Sequence, residues 1–223
     1  MRSFIVFDLD GTLLNTLPDI AGAMNRVLFR YGLPQHPEES YKLFTGDGAR
    51  VLTQRALAGQ ENMLEHVYSA YLLEYSRNSR VDTRPYEGIR EMLLQLLDAD
   101  IKLIVFSNKD DPETKSVIAH YFPDIHFTAV LGSQPGVPLK PDPAALLALL
   151  EEHELSPSQG LYVGDTVMDM QCARAAEIPS VAVLWGFQPE EMLLGERPDA
   201  VITAPSQLIM LLEAETPSLG KDA

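Results

Sequence analysis

The spacing of apolar residues changes along the chain, and each pattern predicts a different kind of structure. Residues 4–7 are consecutive apolar residues, which predict a short strand buried on both faces. Residues 17–81 repeat apolar positions at helical spacing and contain no strand candidate. From Tyr86 onward, short apolar runs alternate with helical patterns. The chain is therefore expected to pass from one strand through a helical block into a strand–helix alternation.

The bounds of the predicted elements follow from the same spacing and from capping residues. Asn15 and Thr16 are predicted caps of the first helix, and Pro143 is predicted at a first helical position behind an Asp142 cap. Predicted helices cover residues 17–31, 38–44, 49–57, 61–77, 89–97, 112–121, 143–150, 167–176 and 206–212. Predicted later strands cover residues 101–106, 127–131, 160–164, 180–184 and 200–202. The polar tail, residues 216–223, is expected to be frayed.

The alternation predicts an α/β fold with a doubly wound, Rossmann-like parallel sheet, helices on both faces and right-handed crossovers. The helical block is too long for a crossover connection, so we interpret it as an inserted small α-helical cap domain. The predicted division is a core of residues 1–14 and 82–223 and a cap of residues 15–81. Ligands bind outside the carboxyl ends of the strands in such sheets, so the cap is expected to lie over the site.

Polar side chains follow three of the predicted strands. Asp8 and Asp10 follow the first strand, Ser107 and Asn108 follow the strand at residues 101–106, and Asp165 ends the strand at residues 160–164. Strand residues two apart share a face, so the first two acids could converge on one ligand. Two carboxylates about 4 Å apart repel by on the order of 4 kcal/mol, so the pair needs a cation, a shared proton or solvent exposure. For either acid alone, an ordinary turn is the alternative.

Composition narrows the range of partners. A formal net charge of −15 and a pI near 4.6 argue against nucleic acid or an anionic membrane as partner. The sequence has no apolar run of about 18 residues and no cleavable-signal pattern, so a cytoplasmic protein is expected, as a monomer or homodimer. Cys172 is the single cysteine and is expected to be an inert thiol.

The gathered acids, with Asp169 in the first turn of the following helix, indicate a site for a hard cation. Mg²⁺ suits such a site because it prefers oxygen ligands and is commonly shared with substrate phosphate. Ser107 and backbone amides could donate hydrogen bonds to a bound anion, and Lys140 could supply positive charge. Each of these residues alone also fits an ordinary loop or surface role. Their order and their placement at strand ends together favour a functional site.

The same residues carry a resemblance to a known family. The segments Asp8-Leu9-Asp10-Gly11-Thr12, Ser107-Asn108, Lys140-Pro141 and Gly164-Asp165-Thr166 with Asp169 resemble the four ordered motifs of the haloacid dehalogenase superfamily. The helical insertion resembles the superfamily's small cap, and residues 45–50, 86–88 and 184–187 are most similar to the phosphoglycolate phosphatase group. The resemblance implies a Mg²⁺-dependent phosphatase acting on a small phosphorylated metabolite, with 2-phosphoglycolate as the first expectation.

The resemblance also implies a role for each matching residue. Asp8 would attack phosphorus to form an aspartyl phosphate, while Asp10 would protonate the leaving oxygen and then activate water. Residues implied for phosphate binding are Thr12, Ser107, Asn108 and Lys140. The residues implied for Mg²⁺ binding are Asp8 and Asp165 through their carboxylates and Asp10 through its backbone carbonyl. Asp169 is implied to order the ligands around the ion.

Some assignments stay open at the level of sequence. Arg50 in the cap is a candidate contact for a substrate carboxylate through bidentate pairing, and Lys109 is a second cation of undecided role. Asn15 stands where the family often has an acid, which could alter how the hinge between cap and core is held.

Other activities and one other class of protein fit parts of the pattern. Inorganic pyrophosphatase and sugar-phosphate mutase activities use similar motifs. A dehalogenase is disfavoured, because that chemistry needs neither the metal cluster nor the second acid. A phospho-receiver module would also use clustered acids, Mg²⁺ and a lysine on a doubly wound sheet. The long cap insertion and Asp10, which is placed to hydrolyse a phosphoryl-enzyme, favour an enzyme over such a module.

Overall fold

The computed structural model describes residues 2–215, so the predicted tail at residues 216–223 lies outside the described part of the chain. The strands are β1 (Phe4–Phe7), β2 (Leu14–Asn15), β3 (Arg84–Pro85), β4 (Lys102–Asp110), β5 (Ala129–Ser133), β6 (Gly160–Gly164), β7 (Ser180–Val183) and β8 (Ala200–Ile202). The helices are α1 (Leu17–Arg30), α2 (Tyr41–Phe44), α3 (Ala49–Leu57), α4 (Leu64–Asn78), α5 (Ile89–Asp98), α6 (Asp111–Tyr121), α7 (Ala144–Glu152), α8 (Val167–Ala175), α9 (Glu190–Gly195) and α10 (Ser206–Glu215).

A parallel sheet with the strand order β5-β4-β1-β6-β7-β8 forms the centre of the core. The central strand β1 is buried along its whole length, because helices cover both faces of the sheet. Ile5 and Phe7 share an apolar cluster with α5, α6 and α10, whereas Phe4 and Val6 share one with α7 and α8. This arrangement confirms the predicted doubly wound sheet.

The helices α1 to α4 pack around an apolar core of their own. Met24 and Val27 on α1 share this cluster with Val67 and Tyr71 on α4, and Phe187 joins it from the loop after β7. The amphipathic faces of these helices therefore pack mainly against one another. This confirms the predicted helical insertion, whereas the domain boundaries at residues 15 and 81 stay a prediction.

A short antiparallel pair joins the helical block to the core, and the sequence pattern did not predict it. Strand β2 pairs with β3, so that Leu14 lies opposite Pro85 and Asn15 opposite Arg84. Two-residue strands are too short to show a period of two, and one of these contains proline. The two chain crossings between block and core therefore lie side by side.

Asp19 ties the end of the helical block back to its beginning. Its buried carboxylate, in the first turn of α1, accepts hydrogen bonds from the backbone N–H groups of Val81, Asp82 and Thr83 at 2.9 to 3.0 Å. The Thr83 hydroxyl donates a further hydrogen bond of 2.7 Å. One side chain thus holds the segment that leads into β3.

Other predicted bounds were displaced for local reasons. Strand β4 continues to Asp110 rather than ending at Phe106, because it pairs with β5 again at Ser133 after a register shift. Pro143 is the N-cap of α7 rather than its first residue, and Thr16 caps α1 without a side-chain hydrogen bond to the helix. Helix α9 was missed because its six residues are too few to show helical periodicity.

Cys172 lies fully buried in the cluster between α7, α8 and the sheet. Burial raises the pKa of its thiol to about 12. The thiol is therefore protonated and shielded at neutral pH, in agreement with the expected inert role.

Candidate active site

The polar strand ends meet at one edge of the sheet. Asp8 follows β1, Asp165 follows β6 and Ser107 lies in the last part of β4, and these strands are neighbours in the sheet. Lys140, from the loop before α7, and Asp169, from the first turn of α8, reach the same place. All five side chains are buried. The predicted convergence of motifs that are far apart in sequence is therefore present.

Three carboxylates and one ammonium form the centre of this cluster. One oxygen from each of Asp8, Asp165 and Asp169 lies within 4.8 Å of the others. The Lys140 Nζ donates hydrogen bonds of 2.7 Å to Asp8 Oδ1 and to Asp169 Oδ1. One lysine cannot balance three ionised carboxylates, so full ionisation of the cluster would leave an excess of negative charge.

Asp169 is held in place by hydrogen bonds from the beginning of α8 and from the sheet. Its Oδ2 accepts hydrogen bonds from the Thr166 N–H at 3.0 Å and the Thr166 hydroxyl at 2.6 Å, in a capping box. Its Oδ1 accepts from Lys140 and from the Tyr162 hydroxyl at 3.2 Å. Both oxygens are occupied, so Asp169 is suited to fix Lys140 and to add charge to the site.

Asp165 lies in a space that two glycines leave open. A Cβ atom built on Gly11 would lie 2.2 Å from Asp165 Oδ2, and one on Gly186 would lie 2.3 Å from Asp165 Cβ. The Asp165 carboxylate accepts hydrogen bonds of 2.8 Å from the Thr12 hydroxyl and from the Phe187 N–H. Thr12, expected from the resemblance to bind phosphate, thus uses its hydroxyl to orient this carboxylate.

Burial and mutual repulsion shift the proton affinities of the cluster. Burial, with the nearby Asp169 carboxylate, raises the pKa of Asp8 to about 7. Burial and the Asp8 carboxylate raise the pKa of Asp165 well above its ordinary value. Burial by itself lowers the pKa of a lysine, but the adjacent Asp169 and Asp8 carboxylates raise that of Lys140 above its ordinary value. These shifts show that the carboxylates need more positive charge than Lys140 supplies.

The donor set fits Mg²⁺. The three carboxylates supply hard oxygen ligands in a buried place where their full ionisation requires added positive charge. Asp8 Oδ2 has no hydrogen-bond donor among residues 2–215, so it remains available to a ligand.

Asp10 does not join the acid cluster through its side chain. The Lys109 Nζ donates hydrogen bonds to Asp10 Oδ1 at 2.9 Å and to Asp10 Oδ2 at 3.0 Å. The same ammonium group lies 2.8 Å from the Tyr75 hydroxyl of α4 and 4.6 Å from the Tyr75 ring centroid. The second acid is therefore linked through a lysine to the helical block. The sequence showed Lys109 only as a cation of undecided role.

Asn108 connects the motif on β4 to a loop of the helical block. Its Nδ2 donates to the Gly46 carbonyl at 2.9 Å and to the Lys140 carbonyl at 3.1 Å, and its Oδ1 accepts from the Lys140 N–H at 2.8 Å. The Asn108 amide therefore positions Lys140 and the loop at Gly46. Ser107 lines the cavity, and its Oγ accepts a hydrogen bond of 3.2 Å from the Lys109 N–H.

Arg50 is the predicted site residue that the structure does not bring to the others. It lies exposed on α3, where its guanidinium pairs with Glu65 and lies 5.6 Å from the Tyr68 ring centroid. It does not line the cavity beside Asp8. Helical spacing alone could not show that Arg50 projects away from the core.

A cavity of about 210 Å³ separates the sheet edge from the helical block. The polar residues along the sheet edge are Asp8, Asp10, Ser107, Asn108, Lys109 and Lys140. The apolar and aromatic residues opposite them are Ile20, Leu52, Tyr71, Leu72 and Tyr75. This division gives the cavity one charged wall and one largely apolar wall.

The fold and this cluster define a class of hydrolase that forms its site at the carboxyl edge of a parallel sheet beneath a helical cap. The chain belongs to the haloacid dehalogenase-like hydrolase family, whose model matches residues 5–183. This family match confirms the resemblance that the four sequence motifs indicated.

The relatives that the chain matches over most of its length include phosphatases. The chain is 34% identical over 217 residues to the phosphoglycolate phosphatase of Haemophilus influenzae, covering 93% of this chain and 97% of that protein. It is 31% identical over 205 residues to the phosphoglycolate phosphatase of Pseudomonas putida, and the match covers 89% of this chain and 75% of that protein. A crystal structure of a predicted phosphoglycolate phosphatase from Haemophilus somnus superposes with a TM-score of 0.88 at 29% sequence identity. The superposition covers 95% of this chain and 98% of that one.

These relationships confirm that the protein is a phosphatase enzyme, as predicted, rather than a phospho-receiver module. Within residues 2–215, no helix is both long and apolar enough to cross a membrane.

Proposed function

We propose that this phosphatase hydrolyses 2-phosphoglycolate to glycolate and phosphate, through an aspartyl phosphate on Asp8 and with Mg²⁺ as cofactor. The observation that carries the proposal is the buried cluster of Asp8, Asp165 and Asp169 around Lys140, open to a cavity sized for a small metabolite. The names of the relatives support the choice of substrate.

Asp8 is placed to act as the nucleophile. Lys140 holds its Oδ1, so Oδ2 is the oxygen that attacks phosphorus as the bond from phosphorus to the leaving oxygen breaks. With one oxygen released from Lys109, Asp10 in its protonated form donates this proton to the leaving oxygen, so glycolate departs as the alcohol. The Asp10 carboxylate then takes a proton from water, whose oxygen attacks the phosphorus and releases phosphate and free Asp8.

The remaining residues of the site stabilise charge. Lys140 and Ser107 hold phosphoryl oxygens, and Asn108 and Asp169 position Lys140 for this task. Asp8, Asp165 and the Asp10 backbone carbonyl would hold Mg²⁺, with Asp169 ordering its ligands. When bound, the ion would supply positive charge that offsets the repulsion between carboxylates and phosphate.

The helical block, residues 15–81, acts in this proposal as a cap domain that covers the substrate and excludes water. Its contacts with the core support this role, because the Gly46 carbonyl meets Asn108 and the Tyr75 hydroxyl meets Lys109.

The test is phosphate release from a panel of phosphorylated metabolites, measured with Mg²⁺ and with a chelator. We expect 2-phosphoglycolate to be hydrolysed fastest, and only with Mg²⁺. Asp8→Asn should lower turnover by at least about 1,000-fold, because it removes the nucleophile. Asp98→Asn, an exposed change on α5, is the matched control and should retain full turnover.

Full activity of Asp8→Asn would reject the covalent mechanism. Equal rates with Mg²⁺ and with chelator would reject the cofactor. Faster release from pyrophosphate or from sugar phosphates would replace the proposed substrate.

A further inference from the structure

We propose that Lys109 binds the carboxylate of the substrate, so that the site selects phosphorylated compounds whose carboxylate is attached to the carbon bearing the phosphoryl oxygen. This assignment rests on the proposed function and extends it to the residue that determines specificity. Lys109 and Lys140 are the only cations among the described residues that line the cavity. Lys140 is engaged by Asp8 and Asp169 at the phosphoryl end. The charged partner for the other end of the substrate is therefore Lys109.

The distance from Lys109 to the reacting atoms fits a short leaving group. Lys109 Nζ lies 2.9 and 3.0 Å from the two oxygens of Asp10. A general acid works within about 3 Å of the oxygen that it protonates, so Nζ lies within about 6 Å of the leaving oxygen. In a two-carbon leaving group such as glycolate, the carboxylate oxygens lie about 3 Å from that oxygen. One hydrogen bond then spans the rest of the distance to Lys109.

All three donors of the Lys109 ammonium group are in use, so a substrate carboxylate has to take the place of an existing acceptor. An ammonium group has three donors, and Lys109 uses two of them on the same carboxylate and directs the third to the Tyr75 hydroxyl. A substrate carboxylate can replace one of the Asp10 oxygens. The replaced oxygen is then free to face the leaving oxygen, while the other keeps Asp10 anchored.

The carboxylates and apolar side chains elsewhere on the cavity wall disfavour other positions for a substrate carboxylate. Asp110 and Glu113 line the cavity near Lys109, and both repel an anion. The opposite wall contributes apolar side chains, including Leu52 and Leu72, which cannot compensate a buried charge. A longer leaving group would carry its carboxylate past Lys109 toward this apolar wall.

The test compares two ligands of similar size, 2-phosphoglycolate and 2-hydroxyethyl phosphate, which has a hydroxymethyl group in place of the carboxylate. Affinities are measured by calorimetry with Mg²⁺ in an Asp8→Asn background, which blocks turnover. We expect Lys109→Met to lower the preference for 2-phosphoglycolate by at least about 10-fold, with less than about 3-fold change for the neutral compound. Lys109→Arg should keep part of the preference. Lys115→Met, on the exposed face of α6, is the matched control and should keep all of it.

Equal weakening of both ligands by Lys109→Met would mean that the lysine only positions Asp10, and an unchanged preference would mean that another group binds the carboxylate. Either result overturns the assignment, as would a loss of preference in Arg50→Met alone.

Turnover of the two compounds by the wild-type enzyme distinguishes a failure of this assignment from a failure of the proposed function. If the wild type hydrolyses both compounds equally well, the phosphatase mechanism stands and the assignment of Lys109 falls. If it hydrolyses neither, the proposed function fails while the affinity ratio still decides the role of Lys109.

Discussion

Asp8 is a carboxylate that the folded chain holds at a cost in free energy. It is buried beside two further carboxylates, and its pKa is raised from 3.8 to about 7, chiefly by burial. Lys140 offsets part of this repulsion through a hydrogen bond of 2.7 Å. A residue suited to attack phosphorus is therefore also one that destabilises the metal-free fold when it ionises.

The pH dependence of stability should report this cost. Between about pH 4 and pH 7, folded Asp8 keeps a proton that the unfolded chain has lost, so the free energy of unfolding falls as pH rises through this window. Asp8→Asn removes this titration. In chelator, the variant should therefore gain stability over the wild type as pH rises, by on the order of 2 to 4 kcal/mol at pH 7.5.

Urea unfolding at several pH values measures the difference. Asp98→Asn, in which the changed residue is exposed, should show no such trend. A difference between Asp8→Asn and the wild type that stays constant or shrinks with rising pH would contradict the raised pKa.

At the scale of elements, one buried side chain in α1 ties down the segment that leads into β3. The Asp19 carboxylate accepts three backbone N–H groups and one hydroxyl from residues 81–83. These donors belong to a segment with no regular structure, so their hydrogen bonds cannot be supplied by a helix or a sheet. This link and the β2–β3 pair together hold the two chain segments that join the helical block to the core.

Asp19→Asn should destabilise the protein by about 2 to 4 kcal/mol, because an amide replaces one acceptor oxygen with a donor that faces other donors. Chemical denaturation measures the loss, and limited proteolysis should show earlier cleavage within residues 80–84. Asp82→Asn lies in the same segment with an exposed side chain and should change stability by less than about 0.5 kcal/mol. Equal losses in the two variants would show that the Asp19 hydrogen bonds do not stabilise this connection.

For the whole molecule, the charged edge of the sheet and the helical block together make the cavity. The sheet contributes carboxylates that need a cation, and the helices contribute the largely apolar wall opposite them. A cation that binds only the folded chain would stabilise it through linkage. Metal binding should therefore be measurable without any substrate.

Adding Mg²⁺ at about 100 times its dissociation constant should stabilise the fold by about 2.7 kcal/mol, a rise of roughly 5 to 10 °C in Tm for a chain of this size. Asp165→Asn should abolish this rise, because it removes one carboxylate of the cluster. Asp110→Asn also lies at the cavity but outside the cluster, so it should keep the rise. Thermal unfolding with Mg²⁺ and with chelator measures both, and an unchanged rise in Asp165→Asn would place the metal elsewhere.

Local pattern was enough to predict most of the fold. A run of four apolar residues predicted β1, because a strand that is buried on both faces is apolar along its whole length. The alternation of short apolar runs with segments of helical spacing predicted the parallel sheet. The same logic failed where elements were too short to show a period, as at β2, β3 and α9. It also placed the end of β4 too early, because polar residues in an irregular strand look like a turn.

The sequence by itself determined which side chains stand at the carboxyl edge of the sheet, since strand order along the chain and the rule of parallel sheets place Asp8, Ser107 and Asp165 there. Only the tertiary structure decided how the other polar groups pair. Thr12 meets an acid 153 residues away, and Lys109 meets one 99 residues away. Arg50 instead points to a neighbour 15 residues along the chain. Such pairings depend on the rotation of each helix and the path of each loop, which are set by packing rather than by the local pattern of residues.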